Sequence, residues 1–332
     1  MMRRWLLVCL VVLSACAPDF RPAGPAIQAP VLTLSEAQDQ SDPAFITAAD
    51  GTQLPLKKWP ATGETRAVVL ALHGFTDYRQ AFALPAAAWS TVGVTTYAYD
   101  QRGFGAAGER LRWAGTETYV NDARQALALV RRQHPGVPLY LLGESMGGAV
   151  AILAVTETKT AGDVADGLIL IAPAVMNRPA LGEFERTVLD VTANLLPWAM
   201  SGRRGVGSLP TDNIPLLRVM SRDPLMQREV RFDQIYGLLL MLETATQRID
   251  QIDMPSLVLF GGKDEILPAG VADYFRDTVP ETLDDELIRI ETIPDAYHML
   301  LRDIEASDRH ERVAAWMLDE DRLAQHAELK AD

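Results

Sequence analysis

Short apolar runs recur along the chain and alternate with longer stretches patterned for helices. Ala67–Leu72, Val94–Tyr99, 137–142, Gly167–Ile171 and 256–260 are bounded by Gly, Pro, Asp or His and carry few polar positions. Such unbroken runs mark strands buried on both faces. Residues 45–47 and 54–59 flank the turn dipeptide Asp50-Gly51, which predicts an antiparallel hairpin at the start. Thr116–Gln133 has a helical pattern and leads into the 137–142 run, an alanine-rich helical stretch follows Ser145, and another helix is expected over 309–318. A last strand is expected at 286–291. Strands alternating with helices predict an α/β fold with a mostly parallel central sheet flanked by helices.

The alternation stops after Val175. From there to Asp250 the pattern is one of amphipathic helical pieces broken by Pro179, Pro197, Pro210, Pro215 and Pro224, most apolar over 193–200 and 235–242. The sheet pattern resumes at 256–264. An insertion at this point sits over the carboxyl ends of the strands, where open sheets bind ligands. The expected organisation is therefore a core of 43–174 and 251–320, a helical cap or lid of 175–250, and a C-terminal tail of 321–332.

Gly143-Glu144-Ser145-Met146-Gly147 stands at one strand-to-helix junction. In that setting G-x-S-x-G is a nucleophile elbow. The turn is too tight for bulk at the flanking positions and pushes the serine Oγ out above the sheet. The helix start behind it presents backbone N–H groups where negative charge develops. A serine needs a base, and the base needs an acid to orient it. In the chain order Ser, then Asp or Glu, then His, the residues that qualify are Asp264 and His298, each in a loop just after a predicted strand. Glu265 is the alternative acid, but Asp264 lies on the turn directly after Gly261-Gly262. Of the other histidines, His134, His310 and His326 are expected at the surface, and His73 under the loop that stabilises the oxyanion. The oxyanion donors expected are the backbone N–H groups of Phe75 and Met146. Asp100 and Arg102 form a charged turn that reads as structural.

The first residues change the picture of where this body resides. Met1-Met2-Arg3-Arg4 is a positive start, 5–13 is apolar, and Ser14-Ala15 leads to Cys16. The apolar run is far below the ~20 residues that span a bilayer, so 1–15 is expected to be an export signal. Leu13-Ser14-Ala15-Cys16 resembles a bacterial lipobox, in which the cysteine is lipidated and becomes the new N-terminus. Pro18, Pro22, Pro25 and Pro30 make the start of 16–42 an extended Pro/Ala-rich tether. By resemblance to sorting signals of diderm bacteria, Ala17 points to the outer membrane, with the body facing the periplasm. Only Cys9 and Cys16 are cysteines, so the exported body has no disulfide framework. A net charge of −13 excludes nucleic acid as a partner. No metal-spaced cluster or phosphate-cradling loop is present in the sequence, and neither a metal nor a cofactor is expected.

His73-Gly74, Asp100-x-Arg102-Gly103-x-Gly105, the Ser145 elbow, Gly262-x-Asp264 and Ala296-Tyr297-His298 together resemble the monoacylglycerol lipase and lysophospholipase branch of serine α/β-hydrolases, related to the serine aminopeptidase-like hydrolases. The resemblance runs over about 45–318, and Asp223-Pro224-Leu225 and 237–244 resemble that family's lid. It implies an α/β-hydrolase fold with Ser145, Asp264 and His298 as a triad and Phe75 and Met146 as oxyanion donors. It also implies cleavage of carboxylic esters through an acyl-enzyme. Monoacylglycerol- or lysophospholipid-like lipids come first as substrates, and small esters or thioesters second. Members of the family often carry a small residue where Phe75 stands, so the acyl entrance differs here. A non-catalytic lipid-binding lipoprotein on the same fold is the reading from another class, and the joint presence of Ser145, Asp264 and His298 argues against it.

Overall fold

In the computed structural model the described residues are 34–35, 44–156, 165–176, 182–201, 208–279 and 287–319. The export signal, Cys16, most of the tether, His326 and the C-terminal tail lie outside them. The strands are β1 (Leu34–Ser35), β2 (Ala44–Thr47), β3 (Gln53–Trp59), β4 (Ala67–Leu72), β5 (Val94–Tyr99), β6 (Leu139–Glu144), β7 (Gly167–Ile171), β8 (Met200–Ser201), β9 (Val230–Arg231), β10 (Ser256–Gly261) and β11 (Ile288–Ile293). Nine of them form one sheet in the order β1-β2-β3-β5-β4-β6-β7-β10-β11, and β8 and β9 form a separate ribbon. From β5 to β11 every neighbour is parallel. The hairpin around Asp50-Gly51 is β2–β3, paired from Ala44 with Leu56 to Thr47 with Gln53.

Period-two alternation sends successive side chains of each parallel strand to opposite faces. Val68, Leu70 and Leu72 join one core with Leu141, Leu170 and Val258; Val69, Ala71, Leu142, Ile171 and Leu259 join the other. The helices are α1 (Ala83–Ser90), α2 (Thr116–Gln133), α3 (Met146–Thr156), α4 (Glu183–Leu195), α5 (Ile214–Met220), α6 (Phe232–Thr246), α7 (Val271–Thr278) and α8 (Ser307–Met317). The first core is covered by α2, α3 and α7, and the second by α1 and α8, through residues such as Trp89 and Trp316.

Several boundaries differ from those expected. Pro138 has no N–H for the ladder, so pairing of the elbow strand starts at Leu139. It continues through Gly143 beside Leu72 and Glu144 beside Ile171. The last strand is likewise two residues later than expected, in register from Ser256–Ile288 to Gly261–Ile293. Leu34–Ser35 pairs antiparallel with Phe45 and Ile46, so the sheet begins inside the segment assigned to the tether. Helices α1 and α7 and the β8–β9 ribbon are new. The first is an alanine-rich piece whose apolar residues show no helical period.

Helices α4, α5 and α6, with the ribbon, make up the described part of the insertion. Helix α6 packs on α3, and α4 on α6. Gly237 seats α6 on the core, because a side chain there would strike the Trp113 indole. The middle of the insertion is bonded to core loops. Tyr78 Oη donates to Asp223 Oδ2, Gln227 N to Thr76 O at 3.0 Å, and Met299 N to Pro210 O at 2.7 Å. Helix α4 is different: Phe184, at 80% exposure, Val188, Val191 and Leu195 follow one another at single-turn spacing and are all exposed.

Candidate active site

The elbow is built from packing that leaves the chain no alternative path. Strand β6 ends at Glu144, α3 begins at Met146, and Ser145 between them has φ +54°. A side chain in this region costs about 1–3 kcal/mol and persists only where its surroundings over-determine it. Ser145 N donates to Ile171 O at 3.0 Å, and Ser145 O accepts from Gly148 N at 2.9 Å and Ala174 N at 3.0 Å. A Cβ on Gly147 would run into the Leu72 carbonyl, and one on Gly148 would lie 2.9 Å from Pro173 Cα. Thr76 and Ala172, in the neighbouring loops, also have positive φ.

The loops after β10 and β11 are zipped together. Gly262 N donates to Ile293 O at 2.8 Å and Lys263 N to Ala296 O at 2.9 Å. A Cβ on Gly261 would stand 2.6 Å from Ala296 O, and one on Gly262 would stand 2.6 Å from Pro294 O. These glycines therefore let the two loops close, and closure brings Asp264 to His298. His298 Nδ1 lies 2.7 Å from Asp264 Oδ2, and His298 Nε2 lies 3.0 Å from Ser145 Oγ. Asp264 Oδ1 accepts from Ile266 N at 2.8 Å and Leu267 N at 3.1 Å.

Burial alone would raise the Asp264 pKa, but the hydrogen bond from His298, its charge and the two loop amides outweigh it and hold the carboxyl below its ordinary value. An ionised Asp264 only accepts hydrogen bonds. The Nδ1 nitrogen then carries the proton, and Nε2 turns a lone pair to Ser145. Glu265, the alternative acid, is exposed.

The loop after β4 passes over Ser145: a Cβ on Gly74 would sit 3.2 Å from Ser145 Cβ. Among the hydrogen bonds of the described residues, none uses the backbone N–H of Phe75 or of Met146. Both groups are thus available where an oxyanion would form. His73 is fully buried beneath this loop, with Nδ1 2.8 Å from Gly74 O and Nε2 accepting from Gln101 N at 3.0 Å. Burial lowers its pKa and keeps it neutral. Asp100 accepts from Arg79 N at 2.9 Å and Ala106 N at 2.7 Å, and Arg102 is forked between Asp50 and Asp122, so this charged turn braces the loops around it.

Two histidines are not where the sequence suggested. His310, on α8, is buried against α1: Nε2 meets Leu301 O at 2.9 Å, and the ring stands edge-on to Trp89. The surrounding charges suggested a solvated helix, yet His310 falls on its inward face. His134 is partly buried, with Nε2 2.9 Å from Tyr97 Oη.

A cavity of about 800 Å³ opens above Ser145 and His298. Phe75 and Met146 line its floor, and Leu217 and Met220 of α5 with Leu238 and Leu239 of α6 form much of its roof. The walls are largely apolar and rich in methionine, a side chain that adapts to irregular apolar shapes. Among the described residues, no group of three or more His, Cys, Asp and Glu side chains is placed to hold a metal ion. One cluster escaped the sequence reading: Asp77, Glu144 and Arg302, buried together directly behind the site. Its signal was Glu144 itself, a carboxylate within the elbow motif just past a strand predicted to be buried, where an ionised group requires a partner.

The family model described as serine aminopeptidase, S33, matches residues 63–305. Monoglyceride lipase of Rattus norvegicus is 26% identical over 268 residues, covering 79% of this chain and 85% of its own length. Monoacylglycerol lipase of Mycolicibacterium smegmatis is 23% identical over 280 residues, covering 81% and 94%. A soluble variant of monoglyceride lipase from Saccharomyces cerevisiae, solved with a substrate analog, superposes with a TM-score of 0.68 at 20% identity, over 91% of this chain and 99% of that one. The monoacylglycerol lipase of Paleococcus ferrophilus gives 0.65 at 20% identity, over 80% and 98%. With most of its length matched, and with the α/β-hydrolase architecture in agreement, the chain belongs to the serine aminopeptidase S33 family and is monoacylglycerol lipase-like.

Proposed function

We propose that the protein is a serine hydrolase that cleaves the ester of monoacylglycerol- or lysophospholipid-like lipids, with Ser145 as nucleophile, His298 as base and Asp264 as its orienting acid. The observation that carries this reading is the unbroken chain Asp264 Oδ2–His298–Ser145 Oγ, with contacts of 2.7 and 3.0 Å, under an apolar cavity. His298 Nε2 takes the Ser145 proton as Oγ attacks the ester carbonyl. The Phe75 and Met146 N–H groups receive the negative oxygen, each donor being worth about 10²–10³ in rate. His298 then returns the proton to the departing alcohol oxygen as the acyl–oxygen bond breaks. Water, deprotonated by the same imidazole, releases the fatty acid and restores Ser145. An apolar cavity of this size accommodates an acyl chain, and the names of the relatives point to the same substrate class.

The same reading places the enzyme at a membrane, held by lipid on Cys16 and exported to the periplasmic face of the outer membrane. It is supported by the lipobox-like Leu13-Ser14-Ala15-Cys16 and by the exposed apolar row of α4, which suits a lipid surface. The cap over the cavity acts as the lid that selects acyl chains.

The test is a fluorophosphonate probe with a panel of monoacylglycerols, lysophospholipids and short esters. Wild-type protein should label and turn over the lipids fastest, while Ser145→Ala should fold and do neither. Turnover by Ser145→Ala would reject the nucleophile, and a preference for short esters would reassign the protein as a small-ester esterase. Labelling with a clickable fatty acid should mark the wild type and spare Cys16→Ser; an unmarked wild type would remove the anchor.

A further inference from the structure

We propose that Arg302 is a positioning residue for this site: its guanidinium, gripped by Asp77 and Glu144, holds the nucleophile, the base and an oxyanion donor in register. This rests on the Ser145 assignment above and adds to it.

Arg302 ends a single 3₁₀ turn, Leu300–Arg302, four residues beyond His298. Its Nη1 donates to Asp77 Oδ2 at 2.6 Å, and its Nη2 donates to Glu144 Oε1. Asp77 lies two residues after Phe75, and Glu144 directly precedes Ser145. One side chain thus touches the loop of each of the three parts that must meet at the reacting carbon. The side chains of Arg302, Asp77 and Glu144 are 5%, 5% and 2% exposed. The pieces joined are remote in sequence, with Asp77 and Glu144 lying 225 and 158 residues from Arg302.

The cluster is poorly explained as a stabiliser. Burial opposes the charges of Glu144 and Arg302: it pushes Glu144 up, and it works against the Arg302 charge until Asp77 and Glu144 outweigh it. Buried ion clusters can often be replaced by apolar groups without loss of stability. What a guanidinium supplies beyond charge is direction, because its planar donors are fixed relative to one another. Each end is spent on a different loop. The Arg302 carbonyl also accepts from Asn213 Nδ2 at 3.1 Å, so the grip is itself braced by the insertion.

Placement matters here because a shift of about 1 Å between reacting groups can cost about 10²-fold in rate. Arg302→Met keeps an unbranched apolar stem and removes the fork. On butyrate esters, assayed well below the melting point, its kcat should fall about 10²-fold while KM stays within about threefold. Affinity for butylboronic acid, which forms a tetrahedral adduct on the serine, should fall with kcat rather than with KM. Arg302→Lys, which restores the charge without the fork, should recover at most about half of the loss in log units and stay below wild type. Should Arg302→Met not fold, Glu144→Gln serves: it keeps the shape, removes one charged grip, and should lower kcat about tenfold at constant KM. A folded Arg302→Met with kcat within about threefold of wild type overturns the proposal, as does an unaltered Glu144→Gln. Ser145→Ala runs alongside, and turnover there overturns the nucleophile assignment instead, which separates the two failures.

Discussion

Asp264→Asn changes one atom, and the bonding around it dictates the outcome. In the wild type Oδ1 accepts from two loop amides, Ile266 N at 2.8 Å and Leu267 N at 3.1 Å, while Oδ2 faces His298 Nδ1 at 2.7 Å. The substituted amide has one oxygen and one NH₂. Two backbone donors claim the oxygen, so the NH₂ is left pointing at Nδ1. His298 must then accept at Nδ1 and carry its proton on Nε2, where it can no longer take the Ser145 proton. Both loop bonds survive, so folding should be nearly unaffected and the loss should fall on chemistry. A triad with the wrong tautomer loses about 10⁴ in kcat, or ~5.5 kcal/mol at 1.36 kcal/mol per decade. The assay is kcat and phosphonylation rate on a butyrate ester at neutral pH, beside a thermal melt. A loss of less than tenfold, with the melt unchanged, would refute the tautomer argument and with it the role given to Asp264.

Three further predictions follow from other parts of the fold. Gly147→Ala would drive a methyl against the Leu72 carbonyl, a backbone group that cannot rotate away. It should destabilise by about 3 kcal/mol, the upper end for overpacking, and a urea midpoint equal to wild type would contradict it. Leu239→Gln puts a polar group in the cavity roof and should lower kcat/KM about tenfold on a dodecanoyl ester, ~1.4 kcal/mol, while leaving a butyrate ester within about twofold; equal losses on both would instead indicate general destabilisation. The hydrogen bond from Arg102 holds the Asp50 carboxyl below its ordinary pKa against partial burial, so its contribution to stability is present above the unfolded value near 4 and fades as pH falls toward the folded one. The gap between melts of Asp50→Asn and wild type should therefore be full at pH 7 and begin to close only as pH falls below about 4, and a gap constant with pH would exclude this ion pair as its source.

The strands and the residues around Ser145 were legible because local chemistry determines them. Doubly buried strands cannot hide their apolar runs, and a tight elbow cannot carry side chains at Gly143 or Gly147. The meeting of His298 and Asp264 with Ser145 could be expected from chain order, since each loop follows a strand end. What stayed hidden depends on contacts between remote segments. His310 looked like a surface residue among charges, and only the docking of α8 on α1 places it against Trp89. Arg302 looked like one arginine among many until Asp77 and Glu144 met it. The insertion showed its helices but not its bonds, because Tyr78–Asp223 and Gln227–Thr76 carry no periodic signal. Helix α1 was missed because an alanine-rich, evenly apolar piece has no face to detect.

Helix α3 has a consequence for how this enzyme would fail. Every residue from Met146 to Val155 is buried, between the sheet on one side and α2 and α6 on the other. No low-energy opening can free such a helix, so its amides should exchange with solvent only as fast as the whole domain unfolds. The exposed row on α4 sits at the opposite extreme and can open at little cost. The outer helix of the insertion and the Ser145 elbow are thereby held by separate free energies. Heating should loosen α4 long before it disturbs Ser145. Irreversible inactivation should then coincide with the global transition, with no earlier phase in which a folded protein has lost its elbow.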